Sequence, residues 1–392
     1  MKAEFAARDG DPRLYLLLGL AAWFLFLDHV PHNAVSLLTM RNFGFSGAVD
    51  LFVFVGGYTA AILYGRMMLE RGLVVTATRI FKRLWQLYVA YVVLFVVYIE
   101  LIGYVAGKSS APALIGEFNV TGIVDHTIRT LIHGLLLQAK PLNLEVLQLF
   151  IVLMAFFPLV LLGIMRRPNL TMAASTSLYV VARYLDWNLS SFPDGRWSLN
   201  PFCWQLLFVF GTWLASIGAQ QKQALSTFQD YWTLRVAAWL YLIFALVVTI
   251  AGRYPQIGGI VPDYLLDLFL PNPRETLDPY RVLHFLALVF LFTCAVPRDW
   301  RGFQWHALQP VIKCGEEWLP VFCAGVFLSF AAHLVLITGP NLLAMHILVS
   351  VAGISIMTAV ATYASWSKQQ DRKPALRDQS LTGSSIHRQP TR

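Results

Sequence analysis

Long apolar stretches alternate with short polar loops along almost the whole chain. A helix that crosses a bilayer needs roughly 20 consecutive, mostly apolar residues. An even number of such spans would place both termini on one side of the membrane. The pattern predicts ten spans, at about residues 14–33, 48–68, 84–106, 145–165, 172–187, 200–219, 233–252, 280–297, 318–337 and 341–363.

Basic residues fall in alternate loops, and this predicts the orientation of the bundle. Cytoplasmic loops of membrane proteins are enriched in Lys and Arg. The enriched loops, together with both termini, are therefore expected to be cytoplasmic. Their basic residues are Arg71, Arg79, Lys82, Arg83, Arg166, Arg167, Lys222, Arg298, Arg301 and Lys313.

Composition supports the same fold class. The 392 residues are 57% hydrophobic and only 13% charged, whereas soluble domains are roughly 45–50% apolar and 25% charged. We therefore predict an all-α, polytopic transmembrane helical bundle over residues 1–364, with the lipid bilayer as its main partner. Residues 365–392 are polar and basic and are predicted to be a disordered cytoplasmic tail.

Charge and cysteine content exclude some partners. The net charge of +8 is explained by the cytoplasmic loops, so no nucleic-acid partner is expected. The four cysteines lack the spacing of metal ligands, which predicts neither a zinc site nor a disulfide framework.

The first predicted span ends in an ionisable pair, Asp28 and His29. Ionisable groups in an apolar helix cost a few kcal/mol of insertion free energy and usually mark a functional site. The alternative is that Pro31 ends the helix at the membrane surface, where Asp28 and His29 face water and lipid head groups.

Further polar residues lie at span ends on the same predicted side. Asp50 opens the second span and Glu145 the fourth, while Arg281 and His284 share one face of the eighth. All lie, with Asp28 and His29, toward the predicted outer side. Their positions indicate one polar cavity that opens outward.

The segment WSLNPFCWQ, at the start of the sixth span, offers polar and aromatic groups for a substrate. Asn200 is suited to cap a helix that begins at Pro201, and Gln205 falls inside the span. Trp197 and Trp204 could stack on a sugar ring or form part of an interfacial aromatic belt. In the second span, Gly56 and Gly57 predict close approach of another helix.

Seven segments together resemble the OpgC family, membrane succinyltransferases of osmoregulated periplasmic glucans within the acyltransferase type 3 superfamily. Their order and spacing agree with the family over nearly the whole chain before the tail. The segments are GLAAWFLFLDHVPHN, FGFSGAVDLFVFVGGYTAAILYGR, RLWQLYVAYVVLF, PLNLEVLQLFIVLMAFFPL, WSLNPFCWQLLFVFG, RVLHFLAL and LPVFCAGVFLS.

Some positions depart from the family pattern. Leu18 stands where the superfamily has an arginine, and Arg13 is the nearest candidate to replace it. The family pattern also has an acidic residue in place of Gly47 and a histidine in place of Tyr91. It has Asp, Pro and Tyr at the three positions that are here Glu145, Gln148 and Phe150.

The resemblance implies an O-acyltransferase of the bacterial inner membrane that uses acyl-CoA, with succinyl-CoA as the expected donor, and a glucan acceptor. Histidine suits the removal of a hydroxyl proton, so His29 is the candidate base. Adjacent helical residues point about 100° apart, so Asp50 or Glu145, rather than Asp28, is expected to orient it. Arg281 or His284 would stabilise the oxyanion.

The cluster Arg79, Lys82 and Arg83 would then meet the CoA phosphates, although cytoplasmic topology alone also explains it. Two other functions stay open at this stage. One is a transporter or flippase for a polar solute, in which the ionisable groups form a proton relay. The other is a non-catalytic relative of the family.

Overall fold

The computed structural model describes residues 11–108, 122–139, 143–192, 194–217, 231–254, 256, 259, 261–340 and 342–372. Their regular structure is helical throughout. The only β-type pairings within these ranges are two isolated bridges, Ala139 with Phe192 and Ser190 with Arg196. The predicted all-α class is therefore confirmed.

Each predicted span coincides with a helical segment. The helices are α1 (Pro12–Asp28), α2 (Ala48–Lys108), α3 (Gly122–Leu135), α4 (Glu145–Arg166), α5 (Pro168–Tyr184), α6 (Pro201–Ser216), α7 (Trp232–Arg253), α8 (Asp263–Phe269), α9 (Pro279–Ala295), α10 (Gln309–Glu316), α11 (Trp318–Thr338) and α12 (Leu343–Arg372). Between α1 and α2 the chain forms two short 3₁₀ turns, Ala34–Leu38 and Met40–Asn42.

Helix α2 contains both the second and the third predicted spans. Its backbone is broken at Gly72, where φ is 80° and ψ is 175°. A residue with a side chain rarely adopts this positive φ, whereas glycine does so readily. The break therefore divides α2 into two halves, and it lies between the second and third predicted spans.

Five helices are long and apolar enough to cross a membrane: α2 over Ala48–Val105, α4, α7, α11 and α12 over Leu343–Gln370. Helices α6 and α9 are apolar but shorter. The number of ten spans and the cytoplasmic position of the termini stay predictions. Lys222, one of the residues behind that orientation, lies outside the described residues.

The predicted start of the tail is wrong. Helix α12 continues to Arg372, so residues 365–372 are helical instead of disordered. Their polar composition does not end the helix, because Ser, Lys and Gln are compatible with helical backbone once an apolar segment has nucleated it. Residues 373–392 lie outside the described part of the chain.

The first half of α2 lies at the centre of the bundle and packs against α1, α4 and α6. Its contact with α6 depends on two glycines. A Cβ atom at Gly57 would lie 2.0 Å from the carbonyl oxygen of Phe208, and one at Gly211 would lie 2.2 Å from that of Phe54. The close helix approach predicted from Gly57 is thus confirmed, because neither position has space for a side chain.

Candidate functional site

A cavity of about 200 Å³ lies where α1 ends and where α2 and α9 begin. Its wall also includes the end of α7 and the loop that precedes α9. We call it the His29 cavity. Its ionisable lining residues are Asp28, His29, Arg41, Arg253, Arg274 and Arg281. The predicted convergence of Asp28, His29 and Arg281 is therefore present in the structure.

His29 is the C-terminal cap of α1, and its backbone N–H donates to the carbonyl oxygen of Leu25 at 3.0 Å. The side chain is buried, with 6% of its surface exposed. Its Nε2 atom has no hydrogen-bonding partner among the described residues. An imidazole without a partner at a cavity wall has a ring nitrogen left for a ligand.

Asp28 faces a different neighbour. Its carboxylate lies 3.2 Å from the Nε atom of Arg41 and accepts a hydrogen bond from the Thr39 hydroxyl at 2.6 Å. These contacts tie the end of α1 to the two 3₁₀ turns. The Asp28 carboxylate therefore makes no hydrogen bond to the His29 Nε2 atom, in line with the prediction that Asp28 does not orient the ring.

The expected pairing of Asp50 with His29 is not formed. One Asp50 oxygen accepts from Nε of Arg281 at 2.8 Å, and the other accepts from its Nη2 at 2.6 Å. The second oxygen also accepts from the backbone N–H of Gly47 at 2.7 Å. Asp50 is fully buried, so all of its bonding serves to hold Arg281 and the start of α2.

Glu145, the other candidate partner of His29, begins α4 and makes no hydrogen bond to the imidazole. Its strongest charged neighbour is Arg274. The preceding Asn143 donates to the hydroxyls of Tyr98, at 3.2 Å, and Ser329, at 2.9 Å. The start of α4 is therefore fixed at the centre of the bundle, beside the His29 cavity.

Trp204 and Asn200 hold a loop instead of lining the cavity. The Trp204 ring is fully buried, and its Nε1–H donates to the carbonyl oxygen of Arg274 at 2.8 Å. Asn200 caps α6 by accepting from the Phe202 N–H at 3.0 Å, and its backbone N–H donates to the carbonyl oxygen of Glu275 at 3.1 Å. Burial excludes Trp204 both as a stacking platform for a sugar and as part of an interfacial belt.

The other two residues of this predicted group are also remote from the cavity. Gln205 exchanges hydrogen bonds with Ser175, its amide donating to the Ser175 carbonyl oxygen at 2.9 Å and its side-chain oxygen accepting from the Ser175 hydroxyl at 2.6 Å. Trp197 is buried, and its carbonyl oxygen accepts from the Asn188 amide at 2.9 Å. Gln205 therefore joins α5 to α6, and Trp197 joins two parts of the loop between these helices.

His284 lies behind the cavity wall. Its Nδ1 atom is 2.7 Å from the Ser46 hydroxyl and accepts from the Ser46 backbone N–H at 3.3 Å. A Cβ atom at Gly44 would lie 2.0 Å from its Nε2 atom. His284 therefore supports the loop before α2, while Arg281, one turn earlier, reaches the cavity itself.

A second cavity, of about 350 Å³, lies between α1, α2, α4 and the α10–α11 junction. We call it the Arg83 cavity, because the Arg83 guanidinium lies at its wall, 5.4 Å from the centre of the Trp318 ring. Glu316 also lines it. Arg79 and Lys82 are exposed and do not line it, so of the three predicted CoA contacts only Arg83 belongs to a cavity.

Leu18, the position of the superfamily arginine, lines the Arg83 cavity. Arg13 does not lie there, since its guanidinium is paired with Asp11 at 2.8 Å at the start of α1. Arg13, the candidate to replace the missing arginine, therefore does not take its place in this cavity. Arg83, contributed by the second half of α2, is the guanidinium that shares a cavity with Leu18.

The two cavities lie along the same helices. Leu18 lines the Arg83 cavity and Leu25 the His29 cavity, and seven residues of helix separate them by about 10 Å. Three aromatic rings pack together at the wall of the Arg83 cavity. The Phe52 ring centre lies 5.1 Å from that of Phe150 and 5.3 Å from that of Trp318.

Two departures from the family pattern contact each other. The Gln148 amide donates to the Tyr91 hydroxyl at 3.0 Å and to the Ala139 carbonyl oxygen at 2.6 Å. The Tyr91 hydroxyl donates to the Gly134 carbonyl oxygen at 3.1 Å. Both residues are buried. Their polar groups form hydrogen bonds with each other and with backbone carbonyl groups at and just after the end of α3.

Sequence reasoning missed Arg41 and Arg274. Neither lies in an apolar span, and an arginine in a loop is normally a solvated residue. One signal was available for Arg274, namely its position two residues after Asn272 in the short segment PNPRE, where prolines restrict the backbone. Among the described residues, no group of three His, Cys, Asp or Glu side chains could hold a metal ion.

The chain matches the model of a known protein family. The family model described as OpgC protein matches residues 10–369, which includes both cavities. Neither the curated proteins nor the solved structures gave a match. The predicted resemblance is thus confirmed over most of the sequence, and a membrane acyltransferase-like function follows from it. This chain belongs to the OpgC family.

Proposed function

We propose that this protein is an O-acyltransferase of the bacterial inner membrane. It transfers an acyl group, with succinyl as the expected one, from acyl-CoA to a hydroxyl group of a periplasmic glucan. The main support is the position of His29 in a protein of the OpgC family. Its imidazole lies at the wall of an arginine-lined cavity, and Nε2 has no hydrogen-bonding partner among the described residues.

In the proposed reaction the acceptor hydroxyl oxygen attacks the thioester carbonyl carbon. A carbon–oxygen bond forms and the carbon–sulfur bond breaks. Neutral His29 takes the hydroxyl proton as a general base and gives it to the CoA thiolate that leaves. Arg281, held by Asp50 at the cavity wall, stabilises the negative charge that develops on the carbonyl oxygen.

The Arg83 cavity is the proposed site for the CoA arm. The Arg83 guanidinium would pair with a phosphate, while the apolar wall formed by Leu18, Phe52 and Trp318 would contact the pantetheine chain. For the thioester to reach His29, a passage between the two cavities has to open.

The test is the substitution His29→Gln, which keeps polarity and approximate size but cannot take up a proton at neutral pH. Acylated glucan, measured by mass spectrometry of periplasmic glucans at matched protein level, is expected to fall ~100- to 10,000-fold. His32→Gln is the control, because His32 is exposed and only three residues further along.

Acylation that survives in His29→Gln would reject the base role. A wild-type protein that produces no acylated glucan but moves a polar solute across the membrane would instead favour a transporter. Loss of acylation in both histidine variants would indicate a general defect of the loop after α1.

A further inference from the structure

Arg274 is a cation of the His29 cavity that forms no ion pair within hydrogen-bonding distance among the described residues, and Glu145 is the acidic side chain that influences it most. Two other arginines at the wall are neutralised, Arg41 by Asp28 at 3.2 Å and Arg281 by Asp50 at 2.6 Å. The Arg274 guanidinium makes no hydrogen bond or ion pair with any described residue, although it is only partly exposed. A partly buried guanidinium that no carboxylate binds directly has five N–H donors to offer a ligand.

The electrostatic surroundings of Arg274 favour an anion. Burial lowers the pKa of its guanidinium, and the neighbouring Arg281 lowers that pKa further. Glu145 raises the pKa of Arg274, but by less than Arg281 lowers it. An arginine nevertheless stays protonated in proteins, so the cavity retains a positive charge that an anionic group would neutralise.

The loop that carries Arg274 is held rigidly on both sides. Carbonyl oxygens of four successive residues accept hydrogen bonds from Trp204 Nε1 (2.8 Å), Asn200 N (3.1 Å), Arg183 Nη1 (3.0 Å) and Tyr179 Oη (2.8 Å). Just before them, the Asn272 amide donates to the Phe45 carbonyl oxygen at 2.6 Å. Such anchoring places the backbone at Arg274 before any ligand binds, which lowers the entropic cost of binding.

The size of the cavity restricts the ligand. At about 200 Å³ it is smaller than the roughly 300–1,000 Å³ of sites for drug-sized molecules. A short acyl group can enter it completely, whereas a glucan ring can only approach the mouth. The anion that reaches Arg274 is therefore expected to be part of the acyl group.

We propose that Arg274 binds the free carboxylate of a short dicarboxylic acyl group while the acyl carbonyl lies at His29. This assignment rests on the proposed function. It makes Arg274 the residue that selects a carboxylated donor, because a guanidinium binds a carboxylate through two parallel hydrogen bonds. An anionic substituent on the acceptor glycan could bind to the guanidinium in the same way, and the experiment distinguishes this ligand from the acyl carboxylate.

The experiment compares succinyl-CoA with butyryl-CoA, which has the same chain length without the carboxylate, in purified full-length protein with an uncharged glucan. In Arg274→Gln, kcat/KM for succinyl-CoA is expected to fall roughly 10- to 100-fold, while that for butyryl-CoA stays the same or rises. Arg274→Lys should be intermediate, since lysine keeps the charge without the planar fork. Arg253→Gln, at the exposed rim of the same cavity, serves as the comparison.

The outcomes separate the two proposals. If the wild-type protein transfers neither acyl group, the proposed function is wrong. If the wild type transfers both acyl groups but Arg274→Gln loses activity equally with succinyl-CoA and butyryl-CoA, the assignment of Arg274 is wrong. The assignment is also wrong if Arg253→Gln, and not Arg274→Gln, removes the preference for succinyl-CoA. If the effect of Arg274→Gln appears only with an anionically substituted glucan, the residue binds the acceptor and the assignment is again overturned.

Discussion

Asp50 and Arg281 form a two-point ion pair between the first turns of α2 and α9, with distances of 2.8 and 2.6 Å. The side chains are almost completely enclosed, with exposures of 0% and 4%. The Arg281 guanidinium also lies 5.5 Å from the centre of the Trp204 ring. This pair fixes the position of Arg281 at the wall of the His29 cavity and joins two helices that are far apart in sequence.

Removal of one member of this pair should destabilise the protein strongly. In Asp50→Ala the buried guanidinium loses its counter-charge, and the expected cost is about 3–5 kcal/mol. The double variant Asp50→Leu with Arg281→Met removes both charges and should lose less. Thermal unfolding of the purified protein in detergent measures both effects, and an unchanged Tm in Asp50→Ala would contradict the prediction.

The close contact between α2 and α6 gives a second prediction. Gly57→Ala places a methyl group 2.0 Å from the Phe208 carbonyl oxygen, so the helices have to separate at a cost of ~1–3 kcal/mol. Gly103→Ala is the matched control, because nothing lies within 4 Å of its Cβ position. Equal melting temperatures for the two variants would show that the contact is looser than described.

Trp204→Phe tests the support of the Arg274 loop. Phenylalanine keeps an aromatic ring but removes the N–H that donates to the Arg274 carbonyl oxygen. The unsatisfied carbonyl group should cost about 1–3 kcal/mol, and a looser loop should raise the KM for a carboxylated donor more than it lowers kcat.

The control for this variant is Trp213→Phe, on the same helix. Trp213 donates to Asn169 at an exposed position, where water can replace the lost partner. Donor kinetics and Tm are therefore expected to stay near those of the wild type. If Trp213→Phe behaved like Trp204→Phe, a general effect on α6 would explain both.

The helices were predictable because the signal for them is local. Burial in lipid requires long apolar runs, and these runs locate the helices, although α1 ends at Asp28 and α12 continues to Arg372. The close approach of α6 at Gly57 carries an equally local signal, since it depends on the absence of a side chain.

The partners of the ionisable residues could not be predicted in the same way. Position at the end of a span brought Asp50, Arg281 and His29 to one region, but it did not determine which groups bond. Asp50 pairs with Arg281 because the first turns of α2 and α9 face each other. Arg274 depends on contacts from two helices to a loop, and no periodic pattern marks such contacts.

The proposed CoA site gives the last prediction. Arg83 lines a cavity beside Trp318, whereas Lys82, the adjacent residue, is exposed. If the cavity holds the CoA arm, Arg83→Gln should raise the KM for acyl-CoA about 10-fold or more, since a charge-assisted hydrogen bond to phosphate is lost. Lys82→Gln should change it less, because an exposed charge acts through solvent and is screened by salt.

Varying the salt concentration and the size of the donor distinguishes phosphate binding in the Arg83 cavity from general attraction of acyl-CoA to the basic loop. The effect of Lys82→Gln on KM should disappear in high salt, because at ~1 M salt the attraction between exposed charges is screened beyond about 3 Å. The effect of Arg83→Gln on KM should persist. A short acyl thioester without the nucleotide phosphates should be used equally by the wild type and by Arg83→Gln. Equal effects of the two substitutions, both removed by salt, would place the phosphates at the surface and leave the Arg83 cavity without a role in donor binding.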